Sequence, residues 1–512
     1  MEFEAIQKYF KTIEFGSVTN GLLVTIGCLI IVRLLQKTVT WFNFIRKGPP
    51  GPMGLPIVGA LPFLGTEPYK TLWEMKDKYG DIISVYLGPR YTVVLNEYTV
   101  MKEVLSHPYA LDRATEQFSA LGSLGFGTEN GEQWHEQRKF VLSAARSLGL
   151  GKGPWQKLIM EEASNFVEDV KKFKGNPTNV SALLVSSINA SIISLLIGRR
   201  LNKEEEANKI KLCYEYADVA FKVIGISDPV SLIPGLRKLY EILKIGDFDH
   251  AAKTIRTFTS FVKDEINRHK TSPALRELRD FINSYLDKLS GISKEKDSKN
   301  YFSEKMLEGN LSVLFLGASD TISSSLGYLI TLMCKYKEVQ DKVYAEVIEA
   351  VGKDGKVGYE DRNKVPYTFA VLMETQRFAS VVRLSGTRKA IQDIHIRGCV
   401  IPKGADITAN LWALHHDPKY WDKPDEFRPE RFLTEDGTKL VKQPPSYAPF
   451  STGKRNCPGE TIAWMGILSY FTEIVKNFEI SAAPGKKLEY KESGGLVMRL
   501  EPQPLCFKPR NN

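Results

Sequence analysis

Apolar and polar positions change their period several times along this chain of 512 residues. Residues 15–32, "FGSVTNGLLVTIGCLIIV", carry no charge, a run near the lower length limit for a membrane-spanning helix. Arg33 closes the run and can snorkel to headgroups, and Trp41 and Phe42 follow at interfacial depth. Lys8 and Lys11 precede the run, whereas Arg33, Lys37, Arg46 and Lys47 follow it, so the positive-inside rule predicts a cytosolic body. Glu2, Glu4 and Glu14 do not suit a transit peptide, and no clear signal-cleavage site follows. A buried core helix is the remaining alternative. The next stretch, "KGPPGPMGLPIVG", has prolines that fix φ and remove donors, and it reads as a semi-rigid connector. The expected organisation is an anchor over residues 1–46 (span about 15–35), a hinge over 47–59 and a body over 60–512.

Within the body, residues 81–96 alternate on both sides of Gly88-Pro89-Arg90, a β-hairpin signal. Residues 124–131 read as a loop, and helical periods follow over 134–145 and 157–173. "SGISKEKDSKN" at 290–300 is charged and poor in apolar residues, so an exposed loop is expected. A long helical pattern over 303–351 follows. Its first half, "LSVLFLGASDTISSSLGYLITLMC", is apolar nearly all round, as in an interior helix. Asp320 and the nearby hydroxyls argue against a second membrane span. A helix is predicted around 367–378, short strands over 385–407, a long irregular region, and a final helix starting near Cys457. Helix exceeds strand.

Composition alters this picture little. A net charge of +9 permits contact with acidic lipid or an acidic protein, but it is too diffuse to indicate nucleic acid. Six cysteines are scattered without a CxxC pair, which favours free thiols over a zinc site or a disulfide framework.

Candidate chemistry concentrates in "PFSTGKRNCPGE", residues 449–460. Cys457 lies where loop gives way to helix, and unpaired N–H groups there stabilise a thiolate. Gly453 and Gly459 would let the backbone approach something large and flat, and Arg455 supplies a cation two residues from the sulfur. Taken alone, the thiol is open to four readings: disulfide half, structural thiol, nucleophile or metal ligand.

Phe450-x-x-Gly453-x-Arg455-x-Cys457-x-Gly459 resembles the haem-binding signature of the cytochrome P-450 superfamily of haem-thiolate monooxygenases. Glu374-x-x-Arg377 followed by "PERF" is similar to that family's structural lock, with Arg431 as third member. Gly317-Ala318-Ser319-Asp320-Thr321 matches its acid–alcohol pair, and Trp134-x-x-x-Arg138 its propionate-holding pair. Together with the anchor, "PPGPMGLPIVG" and "LRDFINSYL", these motifs look most like animal microsomal members of the family-two clan.

The resemblance implies a mainly α fold with small sheets, in which haem b (iron protoporphyrin IX) lies between a long central helix and the cysteine loop. It makes Cys457 the axial iron ligand, and Arg455, Trp134, Arg138 and Arg388, with Phe450, Gly453 and Gly459, the cofactor-binding set. Thr321 and Asp320 become the proton-delivering pair. Phe126, Leu314, Phe315, Ala318, Val381, Val382, Leu384, Leu496 and Val497 become pocket candidates. The implied reaction inserts one oxygen atom from O2 into a lipophilic small molecule, by hydroxylation or epoxidation. NADPH electrons would come through a membrane-bound NADPH–cytochrome P-450 reductase, with cytochrome b5 a second candidate donor. Lys139 and Lys454 are candidates for the docking face. The implied location is the endoplasmic reticulum membrane, by a single-pass anchor, with the catalytic domain cytosolic. A haem-thiolate isomerase or dehydratase acting on lipid peroxides without a reductase is the alternative. Where the family has a proline after the ExxR helix, this chain has Arg383, a candidate partner for a substrate carboxylate or half of a structural salt bridge.

Overall fold

The computed structural model describes residues 46–512, except 116–117, 119–120, 122–124, 203–205, 221–228, 234, 247, 293–300 and 511–512, together with residues 25, 28 and 44. The span expected at about 15–35 and most of the polar loop at 290–300 lie outside the described residues.

The described chain is mainly helical, and one helix organises the rest. The central helix, Glu304–Lys335, starts where the Ser303 hydroxyl accepts from the Met306 N–H at 3.2 Å. Its apolar residues are buried on nearly every side, against the helices Ser181–Ile197, Glu460–Asn477, Pro366–Ala379 and Phe248–Thr271. Most of its hydroxyls bond within the helix, for example Ser323 to Ser319 O at 2.7 Å and Thr331 to Gly327 O at 2.9 Å. Such i−4 bonds are how a polar side chain is tolerated on a buried helix. The helix is long and apolar enough to cross a membrane, but two thirds of its most apolar window is packed inside the protein.

The single helical pattern expected over 303–351 is two helices. Tyr336, at φ −111 and ψ 74, breaks it, and Lys337–Val351 follows as a separate helix. The Tyr336 ring stacks on Phe427 at 5.1 Å, a tertiary contact that the helical period could not reveal. The hairpin forms as Ile82–Leu87 against Arg90–Leu95. It extends through Asp406–Ala409 and Arg388–Lys389 to Asp112–Arg113, giving a five-stranded sheet with one parallel pairing. That sheet edge sets Arg113 directly opposite Arg388. Like charges in that relation are unfavourable unless something negative lies between them.

The final helix begins near Cys457, as expected, at Glu460, with Gly459 as its N-cap residue. The thiol therefore sits on the loop that leads into the helix, not on its first turn.

Candidate functional site

The Cys457 loop is held from both ends. Its amide donates to Phe450 O at 2.9 Å, and the Phe450 ring meets Trp464 of the final helix edge-on at 5.3 Å. Gly453 is at φ +78, and a Cβ there would lie 2.5 Å from Leu105 O. It is thus required by a protein–protein close approach and does not line the cavity, contrary to the expected reason for it. Gly459 does line the cavity.

Behind the loop, Glu374 and Arg377 form a two-pronged ion pair, 2.7 and 2.8 Å, with both side chains fully buried. Arg431 adds a third charge at 3.1 Å from Glu374 Oε1, and the Arg428 N–H donates to the same oxygen. Arg377 also donates to His415 O at 2.8 Å. His415 is a residue that sequence reasoning missed. Burial, then the nearby His416 and Arg377 charges, push its pKa well below the ordinary value, so the ring is neutral. Its Nε2 accepts from the Ala448 N–H, which leaves Nδ1 as the protonated nitrogen, donating to the Ser380 hydroxyl at 2.7 Å. His415 thereby ties the lock to the chain entering the cysteine loop.

In front of the loop is a cavity of about 350 Å3, walled by Cys457 on one side and by Thr321, Ala318 and Leu314 of the central helix on the other. Of the expected pocket residues, Phe126, Val381, Val382, Leu496 and Val497 also line it. Phe315 does not: it is fully buried in an aromatic cluster, 5.2 Å from Phe258. Leu384 does not either, because it faces a second, smaller cavity. Arg383 and Leu384 turn to it together, between Val382 and Ser385, which face the first cavity. The accessible surface of Cys457 faces this cavity rather than bulk water. Desolvation therefore dominates, pushing the thiol up to about 11, with the Gly459 N–H and Arg138 opposing. The nearby cation acting on the sulfur is Arg138, not Arg455 as expected.

Thr321 Oγ1 donates to Gly317 O at 2.6 Å, which leaves its lone pairs for a donor in the cavity. Asp320 is buried but does not line the cavity. Its Oδ1 lies 3.9 Å from Arg499 Nη1, and Arg499 also holds Asp218 at 2.6 Å.

One end of the cavity is strongly cationic. Arg113, Arg138, Arg388 and Arg455 all line it, and among the described residues none of the four forms an ion pair within 4 Å. They bond instead to neutral groups: Arg113 to Gly386 O, Arg138 to Asn456 Oδ1 at 2.8 Å, Arg388 to Ala110 O at 3.3 Å, Arg455 to Glu129 O at 2.6 Å. The Arg455 guanidinium lies over the Trp134 ring at 4.1 Å, and its Nε and Nη1 are buried without partners among the described residues. Burial first, then mutual repulsion, lowers Arg388 well below its ordinary value, Arg113 to about 10 and Arg455 to about 9. Four crowded cations, one of them with two orphaned donors, favour an anionic guest.

A family model described as "Cytochrome P450" matches residues 49–507. Cytochrome P450 2J5 of Mus musculus is 32% identical over 508 residues, 96% of this chain and 99% of that protein. Cytochrome P450 2G1 of Oryctolagus cuniculus is 31% identical over 91% of this chain and 93% of its own length. Cytochrome P450 18a1 of Drosophila melanogaster is 28% identical over 97% and 93%.

The chain belongs to the cytochrome P450 family. It is an oxidoreductase of the monooxygenase class, whose members bind haem through a cysteine thiolate. The first two of these relatives, both from animals, carry the family-two designation that the motifs suggested.

The residues present fit haem on two independent grounds. A thiol that faces a cavity and has a raised pKa is a poor free anion but becomes a thiolate on a metal. The unpaired Arg455 nitrogens and the like-charged Arg113–Arg388 pair suit a group bearing two carboxylates. Arg113 was missed because it stands on a two-residue strand. Its neighbour Arg388 is 275 positions away, and no local period marks either residue.

Proposed function

We propose that this cytochrome P450 inserts one atom of O2 into a lipophilic small molecule, with electrons from NADPH delivered by a flavoprotein reductase. The observation that carries this reading is the shared cavity, in which Cys457 faces Thr321 across an apolar space with the arginine cluster at one end. Cys457 would hold the iron of haem b. Arg113, Arg138, Arg388 and Arg455, with Trp134, would hold its propionates. Thiolate-bound haem supplies oxygen activation by pushing electron density to the metal.

The chain's own residues do the rest. Thr321 lies where its hydroxyl can accept from a water and hand a proton on by rotation, and Asp320 is the nearest acid on the helix. Because the Asp320 carboxylate lies against Arg499, it reaches Thr321 only through intervening solvent. Phe126, Leu314, Ala318, Val381, Val382, Leu496 and Val497 exclude water and orient an apolar substrate.

The proposed setting is the cytosolic face of the endoplasmic reticulum membrane. Exposed Met53, Leu55, Ile57 and Phe63 of the hinge region support it, as do exposed Leu239, Ile242, Leu243 and Ile245 on and after the helix Leu236–Leu243. The hinge approaches the chain just before that helix: a Cβ on Gly88 would lie within 3.4–3.8 Å of Leu232, Ile233 and Ile57. Lys139 and Lys454 are exposed, each one residue from a cavity arginine, and could meet an acidic reductase. The test is product formation from a panel of steroids, terpenoids and fatty acids with NADPH, reductase and 18O2. Label in the product supports the reading. Turnover of lipid peroxides alone, with none from NADPH and reductase, would replace it with the isomerase reading.

A further inference from the structure

Most of the hydroxyls that line the large cavity are already engaged by the protein. Thr321 donates to Gly317 O, Ser325 to Thr321 O at 2.8 Å and Ser380 to Arg377 O at 3.0 Å. Ser385 accepts from the Ala409 N–H at 3.0 Å, and Ser451 belongs to the cysteine loop itself. Thr128 differs. Its hydroxyl has no partner among the described residues, yet its oxygen keeps accessible surface. The residue as a whole is only 8% exposed and lines the cavity, so that surface is cavity surface.

The chain holds this hydroxyl firmly. The Thr128 and Glu129 amides both donate to Gly125 O, at 3.1 and 3.0 Å, which closes a tight turn. The turn is pinned to the central helix where the Phe126 N–H donates to Asn310 Oδ1 at 2.9 Å. Asn310 in turn donates to Gln137 Oε1 at 2.7 Å. Gly125 is required there, since at φ +50 a Cβ would lie 2.1 Å from Asn310 Oδ1. On the other side, Glu129 O accepts from Arg455 at 2.6 Å. Thr128 therefore stands at a corner of the cavity, between the central helix and the cationic end. The anchoring Asn310 precedes Thr321 by about 16 Å along the helix.

The wall between them is apolar, through Phe126, Val313, Leu314 and Ala318. One rigid hydroxyl on such a wall fixes the orientation of a guest. A pure hydrocarbon would strip water from the hydroxyl and leave it unpaired, a cost that a ligand oxygen removes. That oxygen is neutral. Propionates on the nearby arginines would repel a further carboxylate. Beyond Val382, Arg383 offers a carboxylate no free charge either, because its Nη2 is paired with Glu492 Oε1 at 2.5 Å. Of the two readings of Arg383, the salt bridge stands and the carboxylate partner does not.

We infer that Thr128 is a specificity-determining residue. Its hydroxyl holds a neutral oxygen, a ketone or a hydroxyl, of an otherwise apolar substrate, whose apolar end then reaches toward Thr321. This rests on the oxygen-insertion reading and narrows its substrate class.

The test uses the full-length, haem-loaded protein in lipid nanodiscs, with cyclooctanone, cyclooctane and cyclooctanecarboxylate as probes. Calorimetry and Soret-band titration give each dissociation constant. The ratio of the cyclooctane constant to the cyclooctanone constant is compared between proteins, so that partition into lipid cancels. Thr128→Val should lower this ratio about fivefold, the effect of one neutral hydrogen bond, whereas Thr128→Ser keeps it within about twofold. Haem transfer to apomyoglobin stays at the parent rate in both variants. Three results overturn the inference. The first is an unchanged ratio in Thr128→Val. The second is a carboxylate preference in the parent that Thr128→Val abolishes. The third is faster haem loss from Thr128→Val and Thr128→Ala alike, which would make the hydroxyl a cofactor contact. Where Thr128→Val does not fold, Thr128→Ala is read by the same ratio. Failure of the oxygen-insertion reading shows instead as products without 18O, and it does not move the binding ratio.

Discussion

Arg455 illustrates how a side chain can be unfavourable in the empty protein and necessary in the loaded one. Its Nε and Nη1 are orphaned, and Arg113 and Arg138 lower its pKa further. Each charge-assisted hydrogen bond lost to a carboxylate is worth about 1.5–3 kcal/mol. Arg113→Gln with Arg455→Gln should therefore weaken haem retention by a factor on the order of 10² or more. The same change should leave the haem-free protein as stable as the parent or more so, because repulsion is removed. Haem transfer to apomyoglobin and thermal melts of both forms check the two halves. Thr321→Val should reduce product formation by a factor on the order of 10² while substrate-binding spectra stay as in the parent, since only proton delivery is lost. At this scale the cysteine line and the acid–alcohol pair were legible because their chemistry is local in sequence. Arg113 and His415 were not, because each acts across a turn or sheet edge that joins distant segments.

Among the elements, the ExxR helix, Pro366–Ala379, is the one whose charges cannot be removed singly. Glu374→Gln strands Arg377 and Arg431 and should cost about 3–5 kcal/mol, read as loss of folded, haem-containing protein in expression and melting experiments. A second expectation concerns the long helix Phe248–Thr271. His269, fully buried, approaches Asp280 at 3.3 Å and bonds to Glu265 O and Ile197 O. Burial disfavours its charge, but the Asp280 and backbone bonds outweigh this and raise its pKa. A raised folded pKa means stability fully present below the unfolded value, about 6.5, and lost as pH rises through the folded one. The melting temperature of the parent relative to His269→Gln should therefore fall as pH is raised from 6.5. Equal pH slopes for the two would contradict the pairing. Periodicity located the ExxR helix to within a residue at each end and set no bounds for Phe248–Thr271. It missed the break at Tyr336, where no Gly or Pro marks the chain and the ring stacks on the distant Phe427.

Over the whole molecule, the central helix supplies the distal wall, the cysteine loop the opposite one, and the sheet edge the cationic end. The hinge and the 236–245 segment both expose large apolar side chains. In nanodiscs of the full chain, Ile242→Trp fluorescence should be quenched by brominated lipid well beyond that of Lys454→Trp, since the first lies among these side chains and the second on the docking side. The global fold was legible because the motifs of one family span most of the chain. The lining of the cavity was legible only in part. Phe315 and Leu384 have the same apolar character as their neighbours, and only packing separates the cavity wall from the core.

The central claim is that Cys457 binds the iron of a haem held in this cavity. The most direct measurement is the carbon-monoxide difference spectrum of the reduced, purified protein beside that of Cys457→His. The account predicts the strongly red-shifted Soret band of a thiolate-ligated haem in the parent and its loss in the variant. A parent spectrum with the unshifted band of a nitrogen-ligated haem, or a red-shifted band that survives the substitution, would contradict it.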